Sequence, residues 1–237
     1  MKDPIGQAIH DYYHFGKAET ILVDSNYTEG EEMDPAVFFR ATDVMPAIEL
    51  KALDLCQGRV LDIGAGAGCH VLELQKRGFS VTAVEKSALA AEVMRLQGVK
   101  DVVCEDIFNV SNGNYNTILI LMNGTGIAGT LEGLGKLLDH LHGLLAPGGQ
   151  ILLDSSDISY LFSEDDGSVW IDLSNKNYFG EMIYEVTYKT VRSDKFFWLF
   201  VDYDTLCEVA TSHGYQCTVE TEGENGNYLA RLKLAEV

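Results

Sequence analysis

Short apolar segments alternate with segments of helical spacing from residue 58 onward, and this alternation restricts the fold more than any other feature. Five of the apolar segments are typical of strands, namely 59–63, 80–85, 102–104, 117–122 and 150–154. Residues with the spacing of helices follow the first, second and fourth of these segments, as at Leu131, Leu134 and Leu138 after the fourth. Strands and helices that alternate in this way form a parallel sheet with helices on both faces. We therefore expect a doubly wound α/β fold.

The C-terminal third departs from this alternation. Apolar and polar residues alternate over 184–188, which predicts a strand with one solvated face, and 196–201 predicts a neighbouring strand. We assign both to a small antiparallel β excursion after the fifth strand, over 168–201. The segments 215–221 and 228–234 flank a turn-rich stretch that is too short for a parallel crossover. The sheet is thus expected to have seven mostly parallel strands and to end in an antiparallel hairpin.

The first 57 residues precede the sheet and contain six tyrosine and phenylalanine residues. A segment of this length cannot build a hydrophobic core alone, so it is expected to cover the main sheet. Asp34 followed by Pro35 is typical of a helix start, because a carboxylate caps the first amides and proline suits the first turn. We expect 1–57 to be a helical lid segment and 58–237 the main part of a single domain.

A glycine-rich loop, DIGAGAG, follows the first strand of the main part. Glycines let the backbone turn sharply and approach a ligand, and the next helix presents its first amides there. Asp62 stands two positions before the first glycine, and Glu85 ends the second strand. Neighbouring strand ends meet at the switch point of a doubly wound sheet, where a carboxylate can bind a ribose diol. Asp106, just after the third strand, is placed to meet a nucleobase edge.

These motifs resemble those of the class I S-adenosylmethionine-dependent methyltransferases, over about residues 58–155. VLDIGAGAG is similar to the first motif of that family, VTAVEKS to the second and CEDIF to the third. ILILMNGTG and LLAPGGQILL fit the fourth and fifth strands. The resemblance implies S-adenosylmethionine as cofactor, S-adenosylhomocysteine as product, and in-line methyl transfer to an acceptor.

The resemblance also implies a cofactor site, residue by residue. The methionine part would lie against Asp62, Gly64 and Gly66, the ribose against Glu85, the adenine against Asp106 and Ile107, and the sulfonium beside Asn123. Ala65 and Lys86, which stand next to these residues in the motifs, are also expected to bind the cofactor.

Two other functions fit part of the pattern. A glycine loop with a downstream acid also occurs in NAD(P)-dependent oxidoreductases, although their last glycine usually comes one place later than Gly68. A cofactor-binding protein without catalysis is the other alternative.

The net charge of the chain limits its possible partners. The chain has 17 basic and 36 acidic residues, which give a formal net charge of −19, and it would repel phosphate backbones and anionic membranes. We therefore expect no nucleic-acid or membrane partner, and a small-molecule substrate. The fourth strand also ends in Met122-Asn123-Gly124, without the Pro-Pro signature of methyltransferases that act on nucleobases.

The N-terminus and the cysteines bear on location. No export signal or membrane-spanning run is seen, and five cysteines without a C-x-x-C motif suggest reduced thiols. A cytoplasmic location follows as an expectation. We expect no metal.

A general base is needed only if the acceptor arrives protonated. The candidates are Tyr12, His14 and Asp157, although Asp157 could equally cap a turn. His10 and His14 are four residues apart and would share one helix face.

The segment Phe38-Phe39-Arg40 has two possible roles. It could close over the cofactor, with Arg40 near the cofactor carboxylate, or it could belong to a plain packing helix.

Overall fold

The computed structural model describes residues 2–111, 113–162 and 177–235. The N-terminal segment contains two helices, two short strands and two 3₁₀ helices. In chain order these are α1 (Pro4–Phe15), β1 (Ile21–Ser25), β2 (Glu31–Met33), the 3₁₀ helices Pro35–Phe39 and Thr42–Val44, and α2 (Ala47–Asp54). In the part of the chain that the structure describes, no helix combines the length and the apolar character needed to cross a membrane.

Five strands of the main sheet follow, with helices between them. They are β3 (Arg59–Ile63), α3 (Cys69–Lys76), β4 (Ser80–Val84), α4 (Ala88–Gln97), β5 (Val102–Val103), β6 (Tyr115–Ile120), α5 (Leu131–His142) and β7 (Leu145–Ser156). These five strands pair in parallel in the order β7, β6, β3, β4, β5. The doubly wound α/β fold predicted from the sequence is confirmed.

The remaining elements form the predicted excursion and the terminal hairpin. They are β8 (Glu181–Tyr188), β9 (Val191–Arg192), β10 (Phe196–Leu199), α6 (Tyr203–Ser212), β11 (Tyr215–Glu222) and β12 (Asn227–Leu234). β12 runs antiparallel to both β7 and β11, so the main sheet has seven strands and ends in a reversed hairpin, as predicted. Residues 168–176 of the predicted excursion lie outside the described residues.

Both faces of the main sheet are covered by helices. Ile118 and Ile120 of β6 are fully or almost fully buried on the face of α5 and α6, and Leu119 packs on the face of α2, α3 and α4. Alternate side chains of one strand therefore enter two separate cores. This explains why β6 is apolar throughout and why the parallel strands could be recognised in the sequence.

The N-terminal segment differs from the helical lid that the sequence suggested. β1 pairs antiparallel with β8 and with β2, so it lies inside a second sheet of five strands, with Val23 opposite Val186. The helix predicted to start at Asp34 is a short 3₁₀ helix, Pro35–Phe39, and the Asp34 carboxylate caps it by accepting a hydrogen bond from the amide of Ala36 at 2.9 Å. That the whole chain is one domain remains a prediction.

The strand order places the candidate site. From β3 the chain passes to β4 and β5 on one side, and it then returns to β6 and β7 on the other side. The direction of winding changes between β3 and β6. Crevices outside the carboxyl ends of strands at such a point bind ligands in open α/β sheets.

Candidate functional site

The glycine loop at the end of β3 is a tight backbone cradle. Gly64, Gly66 and Gly68 have φ angles of +71°, +55° and +88°, a region that side chains with a Cβ rarely adopt. A Cβ on Gly64 would lie 2.9 Å from the Cδ1 atom of Ile127, and one on Gly66 would lie 3.3 Å from the Phe38 ring. Phe38 therefore covers the loop closely, and glycine is required where the sequence predicted the ligand's approach.

The Glu85 carboxylate joins the end of β4 to this loop. Its Oε2 atom accepts a hydrogen bond from the Gly66 amide at 3.0 Å, and its Oε1 atom accepts one from the Ser87 amide at 2.8 Å. Burial raises the pKa of Glu85, and the two backbone hydrogen bonds act in the opposite direction. Each carboxylate oxygen can accept more than one hydrogen bond, so both retain capacity for ribose hydroxyls.

Asp62 is a buried acid with an unpaired oxygen. Asp62 is the next-to-last residue of β3 and is 2% exposed, and its Oδ2 atom has no hydrogen-bond partner among the described residues. Burial raises the pKa of Asp62 to about 6. A buried acceptor without a donor is costly, and it indicates a place where a ligand donor would be favourable.

We expect Asp62→Asn to stabilise the cofactor-free protein at alkaline pH. A folded-state pKa of about 6 exceeds the ordinary value of 3.8, so the neutral acid is favoured in the fold. The stabilising contribution of Asp62 is present below pH 4 and is lost as the pH rises through 6. The charged form at pH 8 costs up to about 3 kcal/mol, and asparagine removes that cost.

Thermal unfolding at pH 4, 6 and 8 measures this effect. Each kcal/mol of unfolding free energy corresponds to a shift of about 2–4 °C in the melting temperature of a chain of this size. The variant should melt above the wild type at pH 8, and the difference should shrink toward pH 4. A difference in melting temperature that does not change with pH would contradict the raised pKa of Asp62.

The residues predicted to meet the adenine and ribose lie at the ends of β4 and β5. Asp106 is exposed, and its Oδ1 atom accepts a hydrogen bond from the Phe108 amide at 3.1 Å. Ile107 is buried, and its carbonyl accepts a hydrogen bond from His140 Nε2 at 2.9 Å. Lys86 is exposed beside Glu85.

Asn123 follows β6 in an unusual backbone conformation. Met122 and Asn123 have φ angles of +67° and +53°, so two successive non-glycine residues are left-handed. Such conformations are strained and occur often at functional sites. The Asn123 Oδ1 atom accepts a hydrogen bond from the Ser156 hydroxyl at 2.8 Å, which ties the turn after β6 to β7.

Three charged side chains meet in a cluster, of which Glu49 and His70 are buried and Arg40 is partly buried. Arg40 Nη2 donates to both oxygens of Glu49, at 2.6 and 2.8 Å, and His70 Nε2 donates to Glu49 Oε2 at 2.8 Å. Burial opposes the charging of His70, but hydrogen bonds with Cys69 and Glu49 raise its pKa well above the usual value. Arg40 Nε is buried without a partner in the described structure. One donor of Arg40 is therefore still available for the predicted contact with a cofactor carboxylate.

A cavity of about 460 Å³ opens at the carboxyl ends of β6 and β7. Its volume lies in the range of small-molecule sites. Its wall includes Glu49, Asn123, Asp154, Ser156, Phe200 and Asn227. Asn123 thus belongs both to the predicted cofactor site and to the wall of this cavity.

None of the predicted base candidates is among the described residues that line this cavity, but Asp157 lies in the chain between two that do, Ser156 and Ile158. The Tyr12 ring stacks on Phe39 at a centroid distance of 4.8 Å, and His14 is exposed and 4.3 Å from the His10 ring, on one face of α1 as predicted. Asp157 Oδ1 accepts a hydrogen bond from the Ser159 amide at 2.8 Å, which is the turn-capping alternative. A catalytic role for Tyr12, His14 or Asp157 remains a prediction.

Sequence reasoning missed Glu49, His70 and Asp154. The sequence did contain a signal for Asp154, because this acid ends the apolar segment QILLD, and the site forms at the carboxyl ends of the strands. Glu49 and His70 had none, because ordinary helical positions do not show that two side chains meet.

Comparisons with known proteins agree with this geometry. A sequence model of the family described as "Methyltransferase domain" matches residues 39–219. A solved S-adenosylmethionine-dependent methyltransferase from Bacteroides fragilis, in complex with S-adenosyl-L-homocysteine, is 41% identical, with a TM-score of 0.93; the match covers 99% of this chain and 96% of that one.

Two more distant structures share the fold alone. A methyltransferase from Clostridium acetobutylicum is 14% identical, with a TM-score of 0.58, over 82% of this chain and 94% of that one. The CcbJ methyltransferase from Streptomyces caelestis is 13% identical, with a TM-score of 0.60, over 83% of this chain and 99% of that one. No curated protein sequence matches the chain.

Proposed function

The chain belongs to the S-adenosylmethionine-dependent methyltransferases, and we propose that its acceptor is a small molecule held in the cavity at the ends of β6 and β7. One observation carries this proposal. Asn123, which the family resemblance puts beside the sulfonium, also lines that cavity. A molecule in the cavity would then lie next to the methyl group that it receives.

The residues at the crevice fit the cofactor. Gly64, Ala65 and Gly66 offer a backbone cradle, and Glu85 retains hydrogen-bonding capacity for the ribose. The unpaired Oδ2 atom of Asp62 suits a donor of the methionine part. The B. fragilis relative was solved with S-adenosyl-L-homocysteine, which supports the same cofactor for this chain. When bound, S-adenosylmethionine supplies a methyl group that its sulfonium already activates.

The remaining contribution of the chain is positioning and the exclusion of water. The cavity wall contains apolar side chains, among them Ile158 and Phe200, beside the polar Asn123 and Ser156. Such a wall desolvates an acceptor and holds it in one orientation, which can provide most of the rate enhancement when the reacting group is already activated.

A transfer experiment tests the acceptor class. The enzyme is incubated with S-adenosylmethionine that carries a labelled methyl group, together with either the low-mass fraction or the protein fraction of a cell extract. We expect label in the low-mass fraction, with an equal amount of S-adenosylhomocysteine formed. Label confined to the protein fraction would contradict a small-molecule acceptor.

Each base candidate has its own test in the same assay. Alanine at Tyr12, His14 or Asp157 should lower turnover if that residue takes a proton from the acceptor. Unchanged turnover would remove the residue from the mechanism.

A further inference from the structure

The charged side chains around the cavity are mainly acidic. Glu49, Asp154 and Glu224 line it, against the single guanidinium of Arg40. Arg40 is already paired with both oxygens of Glu49. Glu49 also contacts the charged His70 ring, at 2.8 Å. In the described parts of the chain, Asp154 and Glu224 form no ion pair with a basic side chain, so these two carboxylates of the cavity wall have no cationic partner in contact with them.

Of the two carboxylates without an ion pair, Asp154 is the more deeply buried. It is 4% exposed, and it accepts hydrogen bonds from the backbone amides of Asn123 and Gly124, the latter at 3.3 Å. Two backbone amides do not neutralise a buried carboxylate. Burial raises the pKa of Asp154 to about 6, although the charge of His70, which forms no ion pair with Asp154, acts in the opposite direction. A cationic ligand would supply the missing partner.

Aromatic rings border the same cavity. Phe200 and Tyr160 line it, and the Tyr184 ring packs edge-on against Phe200 with a centroid distance of 6.2 Å. The face of an aromatic ring attracts a cation that has left water. Carboxylates and aromatic rings thus both favour a cationic ligand. An anionic acceptor would be repelled by the carboxylates, and a neutral acceptor would gain hydrogen bonds but no attraction between opposite charges.

We infer that the acceptor atom is the nitrogen of a small amine and that the Asp154 carboxylate holds it. This inference rests on the proposed function, since it names the substrate class of the same cavity. An amine that enters as an ammonium ion donates one proton to Asp154, and its nitrogen lone pair then forms a bond to the methyl carbon. The carbon–sulfur bond breaks and its electrons stay on sulfur. An N-methylammonium ion and neutral S-adenosylhomocysteine result, and Asp154 returns its proton to water.

The element that accepts the methyl group can be determined directly by NMR. The enzyme is incubated with S-adenosylmethionine labelled with ¹³C in the methyl group and with the low-mass fraction of a cell extract, and the product is examined by NMR. We expect a labelled methyl resonance in the N-methyl region. An O-, S- or C-methyl resonance would overturn the amine and leave the small-molecule proposal intact. Label found only in protein would overturn both.

The role of Asp154 is tested with Asp154→Asn, which keeps the shape of the side chain and an acceptor for the Gly124 amide. We expect about a hundredfold loss of turnover with the labelled low-mass fraction, in the range of general acid–base effects, while the affinity for S-adenosylmethionine changes less than about threefold. Glu208→Gln removes one exposed carboxylate of α6 and serves as the control with unchanged turnover. Turnover of Asp154→Asn equal to that control would overturn the assignment. A parallel loss of cofactor affinity would overturn it in favour of a structural role.

Discussion

Leucine in place of Glu85 should weaken the binding of S-adenosylmethionine by at least about tenfold. The carboxylate holds the Gly66 and Ser87 amides, at 3.0 and 2.8 Å, and in the proposed function it also accepts the ribose hydroxyls. Each charge-assisted hydrogen bond contributes about 1.5–3 kcal/mol, and 1.4 kcal/mol corresponds to a factor of ten. Leucine would lose these bonds and place apolar bulk against a polar ring. Glu85→Gln should have a smaller effect, because it keeps the shape and one acceptor.

Calorimetric titration measures the affinity, and circular dichroism reports whether the fold survives. Glu92→Leu is a matched control, since Glu92 is an exposed carboxylate on the adjacent helix α4. It should bind the cofactor like the wild type. If Glu85→Leu also did so, the match between VTAVEKS and the second family motif would have to be abandoned.

Glu49→Gln should reduce the free energy of unfolding by about 3–5 kcal/mol, the range for breaking a buried ion pair. The Glu49 carboxylate, at 5% exposure, compensates both the Arg40 guanidinium and the charged His70 ring. The neutral amide removes the negative charge that contacts both of these groups. Urea unfolding at pH 7 measures the loss.

Glu132→Gln is the comparison for this prediction. Glu132 pairs with Lys136 at 2.6 Å on the surface of α5, where exposed ion pairs contribute little to stability. The Glu49 variant should therefore lose several times more stability than the Glu132 variant. Equal losses would show that the buried cluster contributes no more than a surface pair.

The main sheet could be predicted because its evidence is local. Each parallel strand is an apolar run, and β3, β4 and β6 are followed by residues with helical spacing. The terminal hairpin followed from the length of the EGENGN connection, which β11 and β12 confirm. The glycine loop and the acid Glu85 could be placed at strand ends, because position along a strand already determines which edge of the sheet a residue reaches.

The second sheet and the buried charges depend on contacts between distant parts of the chain. β1 has only five residues, and its partner is far away, with Leu22 opposite Thr187. Nothing in either segment specifies that pairing. Arg40, Glu49 and His70 likewise come from three separate elements, and only the packing of α2 and α3 brings them together. Such clusters are a property of the tertiary structure, so the sequence pattern could not show them.

Titration of the purified chain with S-adenosylmethionine and, separately, with NAD⁺ tests the central claim most directly. The site described at the ends of β3, β4 and β5 predicts one S-adenosylmethionine bound per chain and no heat of binding with NAD⁺. Binding of NAD⁺, with none of S-adenosylmethionine by a folded chain, would contradict it.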